Sequence, residues 1–510
     1  MTNTVQIGQD PLTIEQVVAV ARDHARVELT EDARKRIETA REHIEALASS
    51  ISPAYGVSTG FGALAVQHIP ADKRADLQRS LVRSHAAGAG GPVEVDVVRA
   101  MMLLRLHTLA TGHTGATLTT ARTLAAVLNA DLAPVVHEYG SLGCSGDLAP
   151  LAAVALTLMG EGEVINADGR RLRAAEALPA AGIEPVALAE KEGLSLTNGT
   201  DGMLGMLALA AVDLARLLDV ADLTAAMSVE ALLGTDRVFA DSLQALRPHP
   251  GQATSAARMG AFLSGSEIVA SHRGPDCPRV QDAYSLRCAP QVHGAARDTL
   301  AHARLVAGRE LAAAIDNPVV LDDGRVESNG NFHGAPVAYI LDFLAIPTAD
   351  VASMAERRTD RMLDVARSHG LPPFLAHDPG VDSGHMIAQY TQAAIVSELK
   401  RLAVPASVDS IPSSAMQEDH VSMGWSAGRK LRRSIDGLTT VLAVEYLTAA
   451  RALELRSPLS PAPATAAAVA RLRDRVPGAG PDRHLAPEIA AAEDLIRTED
   501  LAQLVSVHAG

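Results

Sequence analysis

Apolar side chains recur along this chain at intervals of three and four residues. In 387–402, Ile387, Tyr390, Ala394, Ile395, Leu399 and Leu402 fall on one helical stripe. The same period predicts two helical segments within 12–50, a helix ending at "SHAAGAGGP" (84–92) and helical chain over 96–130. Long helices are expected near 203–233, 252–269, 292–314, 346–368 and 428–456. Residues 131–146 read as a loop leading into an apolar helix over 148–159. Two small hairpins are expected around "NADGRRL" (166–172) and "LDDGRVES" (321–328), because Asp-Gly is a favoured tight-turn pair. "RSPLSPAPA" (456–464) breaks the last long helix, and a shorter helical tail follows. The pattern predicts a mainly α protein with minor β.

Composition sharpens this picture. The 510 residues are 47% hydrophobic and 21% charged, a globular balance with ample chain for a large core. Aromatics make up only 3%, so the core must be aliphatic, which favours closely packed helices. A net charge of −15 argues against a nucleic-acid surface, and "GRKLRRS" (428–434) reads as a solvated helix face. The apolar run 148–160 is too short to span a bilayer, and the run from Met203 is interrupted by Asp213 and Arg216. With no secretory signal, the expectation is a soluble cytoplasmic protein without a membrane partner. Cys144, Cys277 and Cys288 are too few for a disulfide framework and lack zinc spacing. None of the 18 histidines forms H-E-x-x-H, and no G-x-x-x-x-G-K-[ST] occurs, so neither metal nor nucleotide is expected.

The stretch "YGSLGCSGDLAPLAAVA" (139–155) admits three readings. It is a glycine-rich turn before a helix capped by Asp147, with Pro150 harmless in the first turn. Or Ser145 or Cys144 is the nucleophile of a hydrolase, although G-C-S-G departs from G-x-S-x-G and no strand–helix alternation surrounds it. In the third reading the Gly146 nitrogen attacks the Cys144 carbonyl and closes a five-membered ring. Glycine has no Cβ to block that approach. Loss of water from the ring and of the Ser145 hydroxyl then leaves a methylidene group conjugated to two carbonyls, a strong electrophile. A helix starting at Asp147 would direct its partial positive end at the ring.

An ordered set of motifs favours the third reading. "YGVSTGFG" (55–62), "LVRSHAAG" (81–88), "GSLGCSGDLAPLA", "KEGLSLTNGT" (191–200), "VQDAYSLRCAPQVHG" (280–294), "DNP" (316–318), "NGNFHG" (329–334) and "VDSIPSSAMQEDHVSMG" (408–424) span almost the whole chain. In these the sequence resembles the aromatic amino-acid ammonia-lyases. That resemblance implies a 4-methylidene-imidazol-5-one formed autocatalytically from Cys144, Ser145 and Gly146. It also implies an ammonia-lyase/fumarase-like fold: a globular part over 1–200 carrying the cofactor loop, then a bundle of long antiparallel helices with a helical tail over 201–510. A homotetramer with shared active sites follows from the same likeness.

Within the family the sequence is most similar to members acting on L-histidine, which release ammonia and trans-urocanate in the first step of histidine degradation. The resemblance assigns Ser145 as the electrophilic carbon, Tyr55 as the base and Tyr284 as a second proton carrier. A phenolate useful near pH 7 needs about three pKa units of depression, or ~4 kcal/mol. Arg287 is placed on the substrate carboxylate, where a planar guanidinium pairs bidentately. Asn198 is placed beside the ring, with Gln281 and Phe332 in the pocket. His85 and Glu418 set substrate choice: a carboxylate can accept from an imidazole N–H, whereas a phenyl ring would leave it unpaired. Glu418 is also a candidate for proton transfer. A lyase or 2,3-aminomutase acting on tyrosine or phenylalanine is the alternative on the same scaffold.

Four positions depart from the family pattern. Cys144 stands where alanine is commoner, Ser58 where asparagine is usual, Ala153 where histidine often follows, and Met416 where asparagine precedes "QEDH". Only the backbone of Cys144 enters the ring, so its side chain is expected to be harmless there.

Overall fold

The apolar periods of three and four become helices through most of the chain. The computed structural model describes residues 4–49, 59, 69–274, 277 and 280–506. The chain forms two compact units, each assembled from three stretches, whereas the sequence-based division at residue 200 follows chain order.

The first unit comprises Met1–Val212, Ala303–Asp342 and Pro405–Arg429. Strands Thr4–Ile7 and Arg26–Leu29 pair in parallel, with helix Ile14–Ala21 between them in sequence. Thr13 starts that helix through a capping box with Gln16. Helix Val95–Ala110 is buried on all faces over 97–110, including Arg99 and Arg105, as befits a central core helix. Both expected hairpins form, Glu163–Ile165 with Arg171–Arg173 and Val319–Val320 with Val326–Glu327. An antiparallel pair, Ala89–Pro92 with His137–Tyr139, was not foreseen, since its glycines carry no strand signal.

The second unit comprises Asp213–His302, Phe343–Val404 and Lys430–Gly510. Its interior holds a fully buried bidentate pair: Arg358 Nε reaches Glu445 Oε1 at 2.5 Å and Nη2 reaches Oε2 at 3.0 Å. Thr224 and Ser228 donate to the same carboxylate at 2.7 and 2.8 Å, so the buried charge is fully partnered.

Four of the five passages of the chain between units fall within helices Asp201–Ala231, Ala289–Leu311, Ala335–Leu363 and Gly424–Glu454, and the fifth lies between Val404 and Pro405. The third of these helices begins well before residue 346 and runs through Pro347. It is the one described helix long and apolar enough to cross a membrane, and 61% of its most apolar window is buried in the protein. The helix expected over 252–269 is instead two, Pro250–Phe262 and Glu267–Ala270. Gly265 turns left-handed (φ +80°) between them, and Ser266 caps the second. In helix Met386–Leu402 the period is right but the phase is not. Ala388, Gln392, Val396 and Leu399 are buried, while Ile387 and Tyr390 are exposed.

Candidate active site

The glycine-rich turn ahead of helix Leu148–Leu158 is held from several distant stretches of the first unit. Leu142 O accepts from Met423 N at 2.9 Å. Gly143 O accepts from Gly334 N at 3.1 Å and from Ser422 Oγ at 2.8 Å. On the far side of the triplet, Asp147 N donates to Gly199 O at 2.7 Å. Gly146 has φ +78°, and a Cβ there would lie 2.0 Å from Gly199 O. Only glycine satisfies both conditions.

Asp147 does not cap its own helix, contrary to the sequence reading. Its Oδ2 instead accepts from Gly202 N and Met203 N, both at 2.9 Å, and so caps helix Asp201–Ala231. Ser141 Oγ donates to its Oδ1 at 2.9 Å. Burial pushes the Asp147 carboxyl up to about 7, against the pull of these hydrogen bonds.

Glu418 faces the triplet. Cys144 Sγ donates to Glu418 Oε2 at 3.1 Å, and Ser145 Oγ donates to Oε1 at 3.3 Å. The carboxylate is presented by a closed turn: Ser413 and Glu418 exchange backbone hydrogen bonds of 2.9 and 3.3 Å, and Ser413 Oγ donates to Oε2 at 2.9 Å. Ser414, Ala415 and Met416 inside the turn all have positive φ (50°, 53° and 69°), a costly run for side-chain-bearing residues. Met416 lies at its tip, 67% exposed. Burial first, then the hydrogen bond to Glu418 and its charge, push the Cys144 thiol up to about 12, so it is no thiolate nucleophile at neutral pH.

His85 ends helix Arg74–His85 and is half-buried. Burial lowers its pKa, opposed by the Leu81 carbonyl and by Glu418. Ser84 Oγ donates to Leu81 O at 2.9 Å and lies 3.1 Å from His85 Nδ1. Asn198 is buried, its Nδ2 donating to Asn317 O at 3.0 Å and its carbonyl receiving Arg105 Nη2 at 3.0 Å. Beneath it, Arg105 pairs with Asp201, and Lys191 Nζ meets Asp316 Oδ2 at 2.5 Å. Half-buried Phe332 lies two residues before the Gly334 that holds Gly143.

Three predicted residues belong to the second unit. Tyr284 and Arg287 bracket helix Tyr284–Arg287, with the Arg287 guanidinium 4.8 Å from the centre of the Tyr284 ring, in cation–π range. Tyr284 is 70% exposed. Arg358 Nη1 anchors this helix through Ser285 O at 3.2 Å. Gln281 and Arg287 line a cavity of about 430 Å³ with Arg237, His272 and Arg273. Tyr55 and Ser58 lie outside the described residues.

The first unit thus gathers Cys144, Ser145, Gly146 and Glu418, with Asn198, His85 and Phe332 on the segments around them. Sequence reasoning missed Ser413, Ser422, Gly334 and the true partners of Asp147. The first two lie inside the quoted 408–424 motif, and that motif was the available signal. Among the described residues no group of three or more His, Cys, Asp or Glu is placed to hold a metal ion.

Known proteins resemble this chain over nearly its whole length. The family model for aromatic amino acid lyases matches residues 12–474. Histidine ammonia-lyase of Streptomyces avermitilis is 64% identical over 500 residues, covering 98% of each chain. The histidine ammonia-lyase of Anaeromyxobacter sp. is 50% identical, covering 97% of this chain and 98% of its own. Among solved structures, tyrosine aminomutase from Streptomyces globisporus superimposes with a TM-score of 0.91 at 38% identity, covering 99% of this chain and 98% of that one. Histidine ammonia-lyase from Trypanosoma cruzi does so with a TM-score of 0.91 at 35% identity, covering 99% and 95%. The chain belongs to the aromatic amino acid lyase family.

Proposed function

We propose that this enzyme is a histidine ammonia-lyase, which converts L-histidine to trans-urocanate and ammonia without oxidation. The observation that carries the reading is a carboxylate set against the cofactor triplet: Glu418 Oε1 stands 3.3 Å from Ser145 Oγ. An imidazole N–H satisfies that carboxylate, and the phenyl ring of phenylalanine does not. The relatives at 64% identity support the same choice.

The triplet's surroundings fit a 4-methylidene-imidazol-5-one made from Cys144, Ser145 and Gly146. The backbone on either side is pinned, and Gly146 packs against Gly199 with no room for a Cβ. The group, held by Cys144, Ser145 and Gly146, would supply an electrophilic carbon for the substrate amine, whose nitrogen would thereby become a better leaving group. The chain's own residues do the rest. Glu418 Oε1 orients the imidazole and exchanges a proton with it, while neutral His85 helps set substrate choice. Asn198, held through Asn317 and Arg105, lines the cofactor side. Arg287 takes the substrate carboxylate, and Tyr55 and Tyr284 move the β-proton, with Gln281 and Phe332 completing the pocket. Tyr284 and Val280 are 70% and 93% exposed in the single chain, which supports a homotetramer whose sites are shared between subunits. A cytoplasmic location completes the proposal.

The test is incubation with L-histidine while following the ultraviolet band of urocanate, with Ser145→Ala as the inactive control. A wild-type protein inert on histidine but active on tyrosine overturns the substrate assignment.

A further inference from the structure

Position 144 contributes only backbone to the ring, yet its side chain here is not idle. The two oxygens of Glu418 have different neighbours. Oε2 accepts from Ser413 Oγ at 2.9 Å and from Cys144 Sγ at 3.1 Å, whereas Oε1 accepts from Ser145 Oγ at 3.3 Å. The Ser145 hydroxyl is the one that leaves as water when the ring matures. Maturation therefore frees Oε1 and leaves Oε2 tied by two donors.

We infer that Cys144 is a positioning residue: its thiol, with Ser413, fixes the rotation of the Glu418 carboxylate so that Oε1 alone faces the substrate imidazole. The inference rests on the proposed histidine specificity and deepens it. Two features support the assignment. The thiol is buried, 6% exposed, so water does not compete for its proton. It also remains a donor at neutral pH, because burial and the adjacent carboxylate keep the proton on sulfur. An alanine at this place removes one of the two donors. Ser413 alone then allows the carboxylate to turn about its last bond, and substrate binding must restore the orientation.

The experiment compares the wild type with Cys144→Ala, Cys144→Ser and the double variant Cys144→Ala/Glu418→Gln. Rates are expressed per ring-bearing chain, counted from the loss of two waters in the intact mass. The expected result is a rise of about fivefold in KM for L-histidine in Cys144→Ala with kcat changed less than twofold. Cys144→Ser, which keeps a donor, returns KM to within twofold of the wild type. The alanine substitution adds nothing further in the Glu418→Gln background. Wild-type KM in Cys144→Ala, an equal rise in Cys144→Ser, or an undiminished effect on top of Glu418→Gln each overturn the inference. Failure of the functional proposal looks different, since the wild type itself then forms no urocanate.

Discussion

Replacing Glu418 by glutamine probes the site most directly. The carboxylate accepts three donors, from Ser413, Cys144 and Ser145, at 2.9, 3.1 and 3.3 Å. An amide has one oxygen and one NH2 group. With its oxygen at the Oε2 position it keeps Ser413 and Cys144 but presents N–H to the imidazole; reversed, it meets two donors with a donor. At least one favourable hydrogen bond to a charged group is lost in either orientation. Such bonds contribute about 1.5–3 kcal/mol, which predicts a roughly tenfold to hundredfold fall in kcat/KM on L-histidine. The loss is confined to substrates with a ring N–H, so any trace activity on L-phenylalanine changes far less. Initial rates from urocanate absorbance, normalised to ring-bearing chains by intact mass, give the answer. A variant whose kcat/KM on histidine stays within threefold of the wild type refutes the reasoning, as does an equal loss on both substrates.

Other consequences follow from the same geometry. Gly146→Ala forces a Cβ to 2.0 Å from Gly199 O at φ +78°; the protein should keep both waters in its intact mass and show no lyase activity. Asp147 holds its proton in the folded state up to about pH 7, against an ordinary value of 3.8. Its contribution to stability is therefore complete at low pH and lost as pH rises through about 7. The melting temperature of the wild type relative to Asp147→Asn should fall between pH 5 and pH 8, and a constant difference contradicts the assignment. Arg358→Ala leaves Glu445 buried with only two hydroxyl donors; urea unfolding should show a loss of about 3–5 kcal/mol. Cys144 should resist iodoacetamide at pH 8, as peptide mass mapping would show, because its thiol is pushed up to about 12.

Local chemistry was legible in the sequence wherever it acts over short spans. The Asp-Gly turns of both hairpins were read correctly because a short turn selects its own residue types, with Gly169 and Gly324 at the left-handed positions. The stripe in 387–402 revealed helix but not its buried face, since periodicity is silent about what packs against it. Asp147 shows the same limit. Its sequence neighbours suggest a cap for the next helix, but the N–H groups it satisfies belong to Gly202 and Met203. The approach of Glu418 to Cys144 joins positions 274 apart, and only likeness to a family pointed to it. The thiol's contact with that carboxylate was missed because the reading considered only the backbone of residue 144.

The anchoring of Gly143 has a temporal side. Its carbonyl is gripped by Gly334 and by Ser422, the latter 279 positions along the chain. A ribosome still synthesising the C-terminal third has not yet delivered that clamp. Under the proposed function, cyclisation that depends on this clamp would wait for it, and the heterocycle would then be a covalent seal, stamped only on chains whose distant parts have already met.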